Sequence, residues 1–131
     1  MEPKIEKMLS IITTNEVGVL EKVASVLGSA NINIDAIVGE GLAETGLIRI
    51  ITSDTEKAKV ELEKNKFNVV ESSVIVVEIP NKPGQLMEVA RRLVQRKVNI
   101  EFIYQQNIEG GMSRILIKPD NFDRAMKALE K

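Results

Sequence analysis

The amino-acid sequence predicts an α+β fold of two tandem ferredoxin-like βαββαβ units, the second lacking its last strand, with antiparallel sheets and the helices on one face. Three observations lead to this prediction. The chain has 131 residues, of which 44% are hydrophobic, enough for one domain or two very small ones. Part of the sequence repeats, and each copy alternates between strand-like and helix-like periodicity. The predicted boundaries are residues 1–72 for the first repeat and 73–131 for the second.

The internal repeat is clearest in a short turn motif. Asn15-Glu16-Val17-Gly18-Val19-Leu20 reappears 66 residues later as Asn81-Lys82-Pro83-Gly84-Gln85-Leu86. The same spacing relates Val23 to Val89, Ala24 to Ala90, Leu27 to Leu93, Asn33 to Asn99, Ile34 to Ile100 and Ile37 to Ile103. Further along, Arg49-Ile50 matches Arg114-Ile115 at a spacing of 65. This predicts that the second repeat has lost one residue in the glycine-rich turn that separates its second and third strands.

Each repeat runs in the order strand, helix, strand, strand, helix. The predicted elements are first strands 8–12 and 74–79, helices with apolar stripes over 20–27 and 86–93, second strands 32–36 and 98–102, third strands 47–51 and 113–117, and a fourth strand 67–70 in the first repeat only. Ser53 and Glu56 have capping-box spacing, so the next helix is predicted to open at Ser53 and its counterpart at Asp120. Asp54 and Asp120 are interpreted as helix caps.

Composition argues against several classes of function. The chain has no histidine and no cysteine, which removes the commonest general base, the commonest transition-metal ligand and all thiol chemistry. Its formal net charge is −1 and only 3% of its residues are aromatic, so neither nucleic acid nor a membrane is an expected partner. Residues 1–7 carry mixed charge without an apolar segment, which predicts a cytoplasmic protein. We therefore expect no enzyme activity, no catalytic residue, no metal and no cofactor.

The repeated turn motif is the candidate binding site. Its glycine permits a positive φ and lets a ligand approach the backbone. The turn leads into a predicted helix N-terminus, whose free N–H groups and dipole favour an anion such as a carboxylate. A second asparagine, Asn33 or Asn99, follows 18 residues after Asn15 or Asn81, and its amide can donate and accept hydrogen bonds. These groups suit a zwitterion. The alternative is structural: the asparagines cap helices and the glycines only shape turns.

These motifs resemble those of the ACT domain, a regulatory βαββαβ module. The resemblance covers residues 6–130 and rests on Asn-x-[Val/Pro]-Gly-x-Leu and the following Val/Ile-Asn-Ile. In ACT domains that bind amino acids, two units commonly pair through their second strands. The ligand then lies between the first turn of one unit and the second strand of the other. The resemblance implies a site made of Asn15, Val17, Gly18, Val19, Leu20, Asn33 and Ile34 in the first repeat and Asn81, Pro83, Gly84, Gln85, Leu86, Asn99 and Ile100 in the second.

The same resemblance implies a non-catalytic regulatory or sensor protein that binds a small ligand, an amino acid, where paired ACT units meet. The aliphatic residues implied in the site favour a branched-chain or other apolar amino acid. The alternative is a regulatory or scaffold subunit that binds a partner enzyme of amino-acid metabolism without a small ligand. We also expect a homodimer, because strand 74–79 would have no fourth strand beside it and would present an open apolar edge. Pro3 makes the segment before Met8 a poor strand.

Other features have simpler interpretations. Residues 39–41 and 110–111 are rich in glycine but join two strands, so we interpret them as hairpin turns and not as phosphate-binding loops. The basic cluster over 91–97 complements a helix C-terminus and is interpreted as a solvated face. Asp35 and Glu101 occupy equivalent strand positions, where they either contact a ligand ammonium or line a polar strand face. The sequence leaves both interpretations open.

Overall fold

The structure is a computed structural model that describes residues 1–130; Lys131, the end of the predicted second repeat, lies outside the described residues. The elements are β1 (Lys4–Thr14), α1 (Val19–Ser29), β2 (Ile34–Leu42), β3 (Thr45–Thr52), α2 (Thr55–Lys64), β4 (Asn68–Pro80), α3 (Gln85–Gln95), β5 (Ile100–Ile108), a short 3-10 helix (Glu109–Gly111), β6 (Met112–Pro119) and α4 (Phe122–Leu129). None of the helices found in residues 1–130 has the length and apolar character needed to span a membrane.

The chain divides into two compact units. The first unit comprises Lys7–Ser72, and the second unit comprises Met1–Glu6 together with the chain from Ser73 onward. The division falls inside β1 and inside β4. Residues 1–6, predicted to belong to the first repeat, therefore lie in the second unit. The segment 71–73, predicted to connect the repeats, is continuous strand.

In the first unit the strands lie in the order β2-β3-β1-β4, and β3 is antiparallel to both of its neighbours. Alternate strand residues point towards the helices, as the pleat of a sheet requires. The core consists of Leu9, Ile11, Val23, Leu27, Ile32, Ile48, Ile50, Ala58, Leu62 and Val69. Because α1 and α2 both contribute to this one cluster, they cover the same face of the sheet. The predicted ferredoxin-like unit with its helices on one face is confirmed.

The second unit has the same arrangement, with strands in the order β1-β4-β6-β5. Its core consists of Ile75, Val77, Ile79, Val89, Leu93, Val98, Ile115, Ile117, Ala125, Ala128 and Leu129. As predicted, no strand follows α4 within residues 1–130. The place of that strand is taken by Lys4–Glu6 of β1, and Met1 packs against the core.

The predicted open edge along residues 74–79 is therefore wrong, because the N-terminal segment of the same chain pairs with β4. Pro3 does not prevent this pairing. It lies just before Lys4, the first residue of β1, where a missing backbone N–H removes no hydrogen bond from the ladder. Pro3 was expected to prevent strand formation throughout the segment before Met8. It removes the backbone N–H at one position only, and β1 begins at the next residue.

The strand register corrects the alignment of the two repeats after the hairpin. Ile50 pairs with Ile37, whereas Ile117 pairs with Ile103, the repeat counterpart of Ile37. Ile50 and Ile117 are therefore equivalent, and the spacing has become 67 residues. The predicted spacing of 65 is wrong: the second repeat has gained one residue, since its hairpin turn has three residues and the first has two.

The hairpin between β2 and β3 turns further along the chain than predicted. Gly39 and Gly41 are strand residues, and the turn is Ala43-Glu44, with a φ of 53° at Ala43. Packing and not turn formation explains the glycine at position 41, because a Cβ there would meet the Asn15 side chain at 2.6 Å. The predicted turn at Gly110-Gly111 is confirmed, and both glycines have positive φ values of 78° and 70°.

The predicted cap at Asp54 is confirmed, whereas the predicted helix starts at Ser53 and Asp120 are wrong by one residue. The capping side chains belong to Asp54 for α2 and Asn121 for α4, each accepting a hydrogen bond from a backbone N–H three residues later. Ser53 and Asp120 instead accept hydrogen bonds from the residues that precede β2 and β5. Sequence spacing does not separate these two roles, because short polar acceptors occur side by side at both helix starts.

Candidate functional site

Each repeated turn places a glycine directly before a helix. Gly18 precedes α1 with a φ of 90°, and Gly84 precedes α3 with a φ of 88°. The space beside both glycines is open, since a Cβ built there would meet no atom within 4 Å. The backbone conformation therefore requires glycine, as predicted, and leaves the surface of the turn accessible.

The helices that follow these turns have no side-chain cap. Asp54 caps α2 and Asn121 caps α4, but neither α1 nor α3 has an N-cap hydrogen bond from a side chain within the described part of the chain. The interpretation of Asn15 and Asn81 as helix caps is therefore wrong. The N–H groups in the first turns of α1 and α3, together with the helix dipole, form a suitable environment for a carboxylate.

The two turn asparagines differ in what they bind. The Asn15 side-chain nitrogen donates to the Ala43 carbonyl oxygen at 3.0 Å, and its backbone N–H donates to the Glu44 carbonyl oxygen at 2.8 Å. The Asn81 backbone N–H makes the matching bond to Gly111 at 2.8 Å. Its side-chain amide, however, has no hydrogen-bond partner within residues 1–130. Asn15 thus has a structural role in holding the hairpin, whereas the Asn81 amide is available to a ligand.

Apolar side chains near both turns are exposed in the same pattern. Leu20 and Leu86, predicted to lie on the apolar stripes of their helices, are 55% and 45% exposed. The buried residues of these two helices are Val23, Leu27, Val89 and Leu93. Val17, at the tip of the first turn, is fully exposed. Leu20 and Leu86 thus lie outside the core and remain available to another molecule.

Two exposed isoleucines that the sequence did not predict as site residues lie on β2 and β5. Ile37 and Ile103 pair with core residues of β3 and β6, yet they are 44% and 39% exposed. Because β2 and β5 are the outermost strands of their units, the helices cover them incompletely. The information needed to find them was present in the repeat, where both isoleucines occur at the same position.

Asn33 and Asn99 lie immediately before β2 and β5. Their backbone N–H groups donate to Ser53 Oγ and Asp120 Oδ1, both at 3.0 Å. Their carbonyl oxygens accept hydrogen bonds from the backbone N–H groups of the same two residues. Both asparagines are exposed. This reciprocal pair of bonds fixes the start of each second strand to the end of the third.

The carboxylates on the second strands have partners within their own units. The Asn33 amide donates to Asp35 Oδ1 at 2.7 Å, and Lys118 Nζ donates to Glu101 Oε1 at 2.7 Å. A polar strand face accounts for both residues. No group of three or more His, Cys, Asp or Glu side chains among the described residues is placed to hold a metal ion.

The other residues implied in the site lie at the same turns and strand starts. Val19 and Ile34 are half-buried against the core of the first unit, and Ile100 is half-buried against the core of the second. Gln85 is half-buried at the start of α3, and Pro83 is exposed in the turn before it. The half-buried residues connect each turn to the core of its own unit.

The basic cluster near the end of α3 is paired in part with an acidic residue of the same helix. Arg91 Nη1 lies 3.6 Å and Arg92 Nε lies 3.2 Å from Glu88 carboxylate oxygens. Such pairs three and four residues apart are common on exposed helix faces and contribute little stability. They support the interpretation of this cluster as a solvated face.

The fold and the duplicated turns define the class of protein. The chain belongs to the ACT domain pair family, whose model matches residues 5–130. The predicted resemblance to the ACT domain is therefore confirmed. A comparison with curated proteins gave no significant match.

Among solved structures, the chain is similar to protein BT0572 from Bacteroides thetaiotaomicron, with 33% identity and a TM-score of 0.92, covering 99% of this chain and 90% of that one. It is also similar to the ligand-free regulatory subunit of aspartate kinase from Thermus thermophilus, with 13% identity and a TM-score of 0.70 over 96% of this chain and 95% of that one. The corresponding Thermus flavus subunit has 14% identity and a TM-score of 0.67, covering 98% and 94%. At these two lower identities the likeness shows the fold alone.

Proposed function

We propose that the protein is a non-catalytic sensor that binds an amino acid at its repeated turns, where paired ACT units meet. The observation that carries this proposal is one exposed arrangement that occurs twice: a left-handed glycine, an uncapped helix N-terminus and an exposed leucine. A purely structural role of the turns explains the two glycines. It does not explain why apolar side chains are exposed at matching positions in both units.

The groups at each turn match the parts of an amino acid. The N–H groups of the uncapped helix suit its carboxylate. The amide oxygen of Asn81 is an acceptor for its ammonium group. The exposed large hydrophobic side chains within two residues of the turn glycines are Val17, Leu20 and Leu86. All three are aliphatic, so they favour a branched-chain or other apolar amino acid.

The proposed output is regulation of a separate protein, an enzyme of amino-acid metabolism. This part of the proposal draws support from the aspartate kinase regulatory subunits, which share the fold over almost the whole of both chains. A ligand that contacts two paired units favours one arrangement of them over another, which is how binding becomes a regulatory response. We propose that this takes place in the cytoplasm, where amino-acid pools are found.

We also propose that the protein forms a homodimer. The reason given by the sequence, an open edge on β4, no longer applies. Support comes instead from the outermost strands, because β2 and β5 each have one strand neighbour within the described residues. Both strands expose apolar side chains, namely Ile37 and Leu42 on β2 and Ile103 on β5. Exposed strand edges of this kind tend to pair with another chain.

A thermal-shift screen against the twenty amino acids tests the proposed function. An amino acid at one hundred times its Kd stabilises the folded protein by about 2.7 kcal/mol, which raises Tm by several degrees. The Asn81→Ala variant should lose most of this shift, whereas Gln95→Ala, a matched loss of an exposed amide at the far end of α3, should retain it. No shift with any of the twenty would contradict the proposal and favour a scaffold subunit that binds only a partner protein.

A further inference from the structure

A cleft in the first unit lies between the end of β1, one side of α1 and the connection from α2 to β4. Residues 12–14, Lys22, Val26 and 65–68 contribute to its walls. Its volume is about 530 Å³, which is in the range of small-molecule sites. The cleft adjoins the first turn through Val19 but opens between different elements from those that carry Asn33 and Ile37.

This cleft is not a duplicated feature. In the second repeat the positions of Lys22 and Val26 are occupied by Glu88 and Arg92, whose side chains are joined at 3.2 Å. The wall formed by residues 65–68 follows α2, and α4 is followed by no matching segment within residues 1–130. Within residues 1–130 the second repeat therefore does not present the same lining side chains, and the repeated ACT turn does not explain them.

The wall between α2 and β4 is fixed by backbone hydrogen bonds. The Lys66 N–H donates to the Glu63 carbonyl oxygen at 3.0 Å, and the Phe67 N–H donates to the Leu62 carbonyl oxygen at 3.1 Å. Lys66 has a φ of 69°, the left-handed conformation that ends the helix. The backbone at Lys66 and Phe67 is thus ordered before a ligand arrives, which reduces the entropy cost of binding.

Apolar side chains form one part of the lining. Val19, Val26 and Phe67 are half-buried against the core. Phe67 is one of three phenylalanines in the chain. A ligand with an aliphatic or aromatic body would remove this apolar surface from water, which is favourable in proportion to the area buried.

The charged side chains give the cleft an excess of positive charge. Lys22 and Lys66 are exposed, and neither ammonium group has a hydrogen-bond or ion-pair partner in the described part of the chain. The single carboxylate of the lining, Glu16, accepts a hydrogen bond from the Thr14 hydroxyl at 3.1 Å. Two cations and one anion favour a ligand that carries one negative charge.

We propose that this cleft binds a small amphipathic carboxylate, with the carboxylate at the ammonium groups of Lys22 and Lys66 and the apolar body against Phe67 and Val26. A free amino acid suits it less well, because the ligand ammonium would add positive charge to a lining that already has an excess. The cleft shares Val19 with the first repeated turn, but its proposed ligand contacts, Lys22, Val26, Lys66 and Phe67, are not residues of the turn site.

Nuclear magnetic resonance of the 15N-labelled full chain, titrated with 4-methylpentanoate, tests this proposal. Amide shifts should centre on residues 22–26 and 65–68 and be absent from Asn33, Ile34 and residues 81–92. Lys22→Gln and Lys66→Gln should each raise Kd about ten-fold or more, because each removes a hydrogen bond to a charged group. Lys64→Gln is the matched control, since Lys64 lies next to the cleft but its ammonium pairs with Glu61 at 3.3 Å.

The neutral analogue 4-methylpentanamide should bind at least ten-fold more weakly than the carboxylate. Absence of shifts at tens of millimolar carboxylate would overturn the proposal, and so would an unchanged Kd in the Lys22→Gln, Lys66→Gln double variant. The Asn81→Ala variant should bind 4-methylpentanoate as the wild type does. Its behaviour therefore distinguishes failure of this site from failure of the turn site.

Discussion

Gly18 and Gly84 have positive φ values and open space beside them, so backbone strain and not steric contact determines which residues these positions accept. Gly84→Ala should lower the free energy of unfolding by about 1–2 kcal/mol, the cost of a left-handed conformation for an L-residue. Gly84→Val should cost more, because its side chain is β-branched. Denaturant unfolding measures both effects.

Gly28→Ala is the control for this prediction, because Gly28 lies within α1 and a Cβ there also meets no atom within 4 Å. In a helix this change should be neutral or stabilise the protein by roughly 0.5–1 kcal/mol. Equal destabilisation by Gly28→Ala and Gly84→Ala would show that the left-handed turn is not the cause.

Lys7 and Glu71 form an ion pair in the first unit, with 2.9 Å between Nζ and Oε2. The hydrogen bond from Lys7 lowers the pKa of the Glu71 carboxyl, and the hydrogen bond to Glu71 raises the pKa of Lys7. Lys7→Met should therefore raise the pKa of Glu71 in a 13C-detected titration. Because the folded pKa of Glu71 is depressed, its stabilising effect is present above the unfolded pKa and is lost as pH falls through the folded pKa.

The pair is exposed to solvent, so its effect on stability is small and the titration is the informative measurement. Lys64→Met, which removes a lysine that pairs with Glu61, should leave the Glu71 pKa unchanged. An identical Glu71 titration in the wild type and Lys7→Met would contradict the assignment of Lys7 as the cause.

Individual side chains were only partly predictable from sequence. The motif predicted the positive φ at Gly18 and Gly84, because few residues other than glycine adopt that conformation. Periodicity placed Leu20 and Leu86 on an apolar stripe but did not reveal their exposure. The first turn of a helix can extend beyond the sheet that covers its remainder, and this depends on packing between distant elements.

At the scale of elements, the N-terminal segment completes the second unit. Lys4–Glu6 occupies the place of the last strand beside β4. Ile5→Pro should disrupt this strand, reduce stability by roughly 1–3 kcal/mol and increase self-association, because the edge of β4 becomes available to other chains. Denaturant unfolding and light scattering measure the two effects.

Ile5→Thr is the matched control, because threonine retains a high strand propensity at this exposed position. It should behave as the wild type does. If Ile5→Pro were equally stable and no more associated, the N-terminal segment would not protect the edge of β4.

The type and order of the elements were predictable because apolar spacing differs between helix and strand. The lengths of β1 and β4 were not. Glu71, Ser72 and Ser73 are polar and suggested a loop, yet they continue β4. They lie beside β1, and Lys7 of β1 bonds to Glu71 across a sequence separation of 64 residues, a pairing that no local pattern encodes. The added turn residue was missed for a similar reason, since only the register reveals it.

For the whole molecule, we expect a dimer of about twice the chain mass of 14.5 kDa in light scattering. Ile37→Glu together with Ile103→Glu should produce a monomer, because a charge on each outermost strand opposes edge pairing. Val94→Glu is the control, since Val94 is 71% exposed and belongs to α3, not to either of these strands. A monomeric wild type at tens of micromolar would contradict the proposed dimer.

Calorimetric titration with the amino acid that gives the largest thermal shift tests the proposed function most directly. The wild type should bind it, and Asn81→Ala should weaken binding roughly ten- to a hundred-fold, because one hydrogen bond to a charged group contributes about 1.5–3 kcal/mol. The variant should keep the wild-type Tm without ligand, since the Asn81 amide has no partner within residues 1–130. Binding of equal affinity by Asn81→Ala, or no heat of binding with any amino acid, would contradict an amino-acid sensor at the repeated turns.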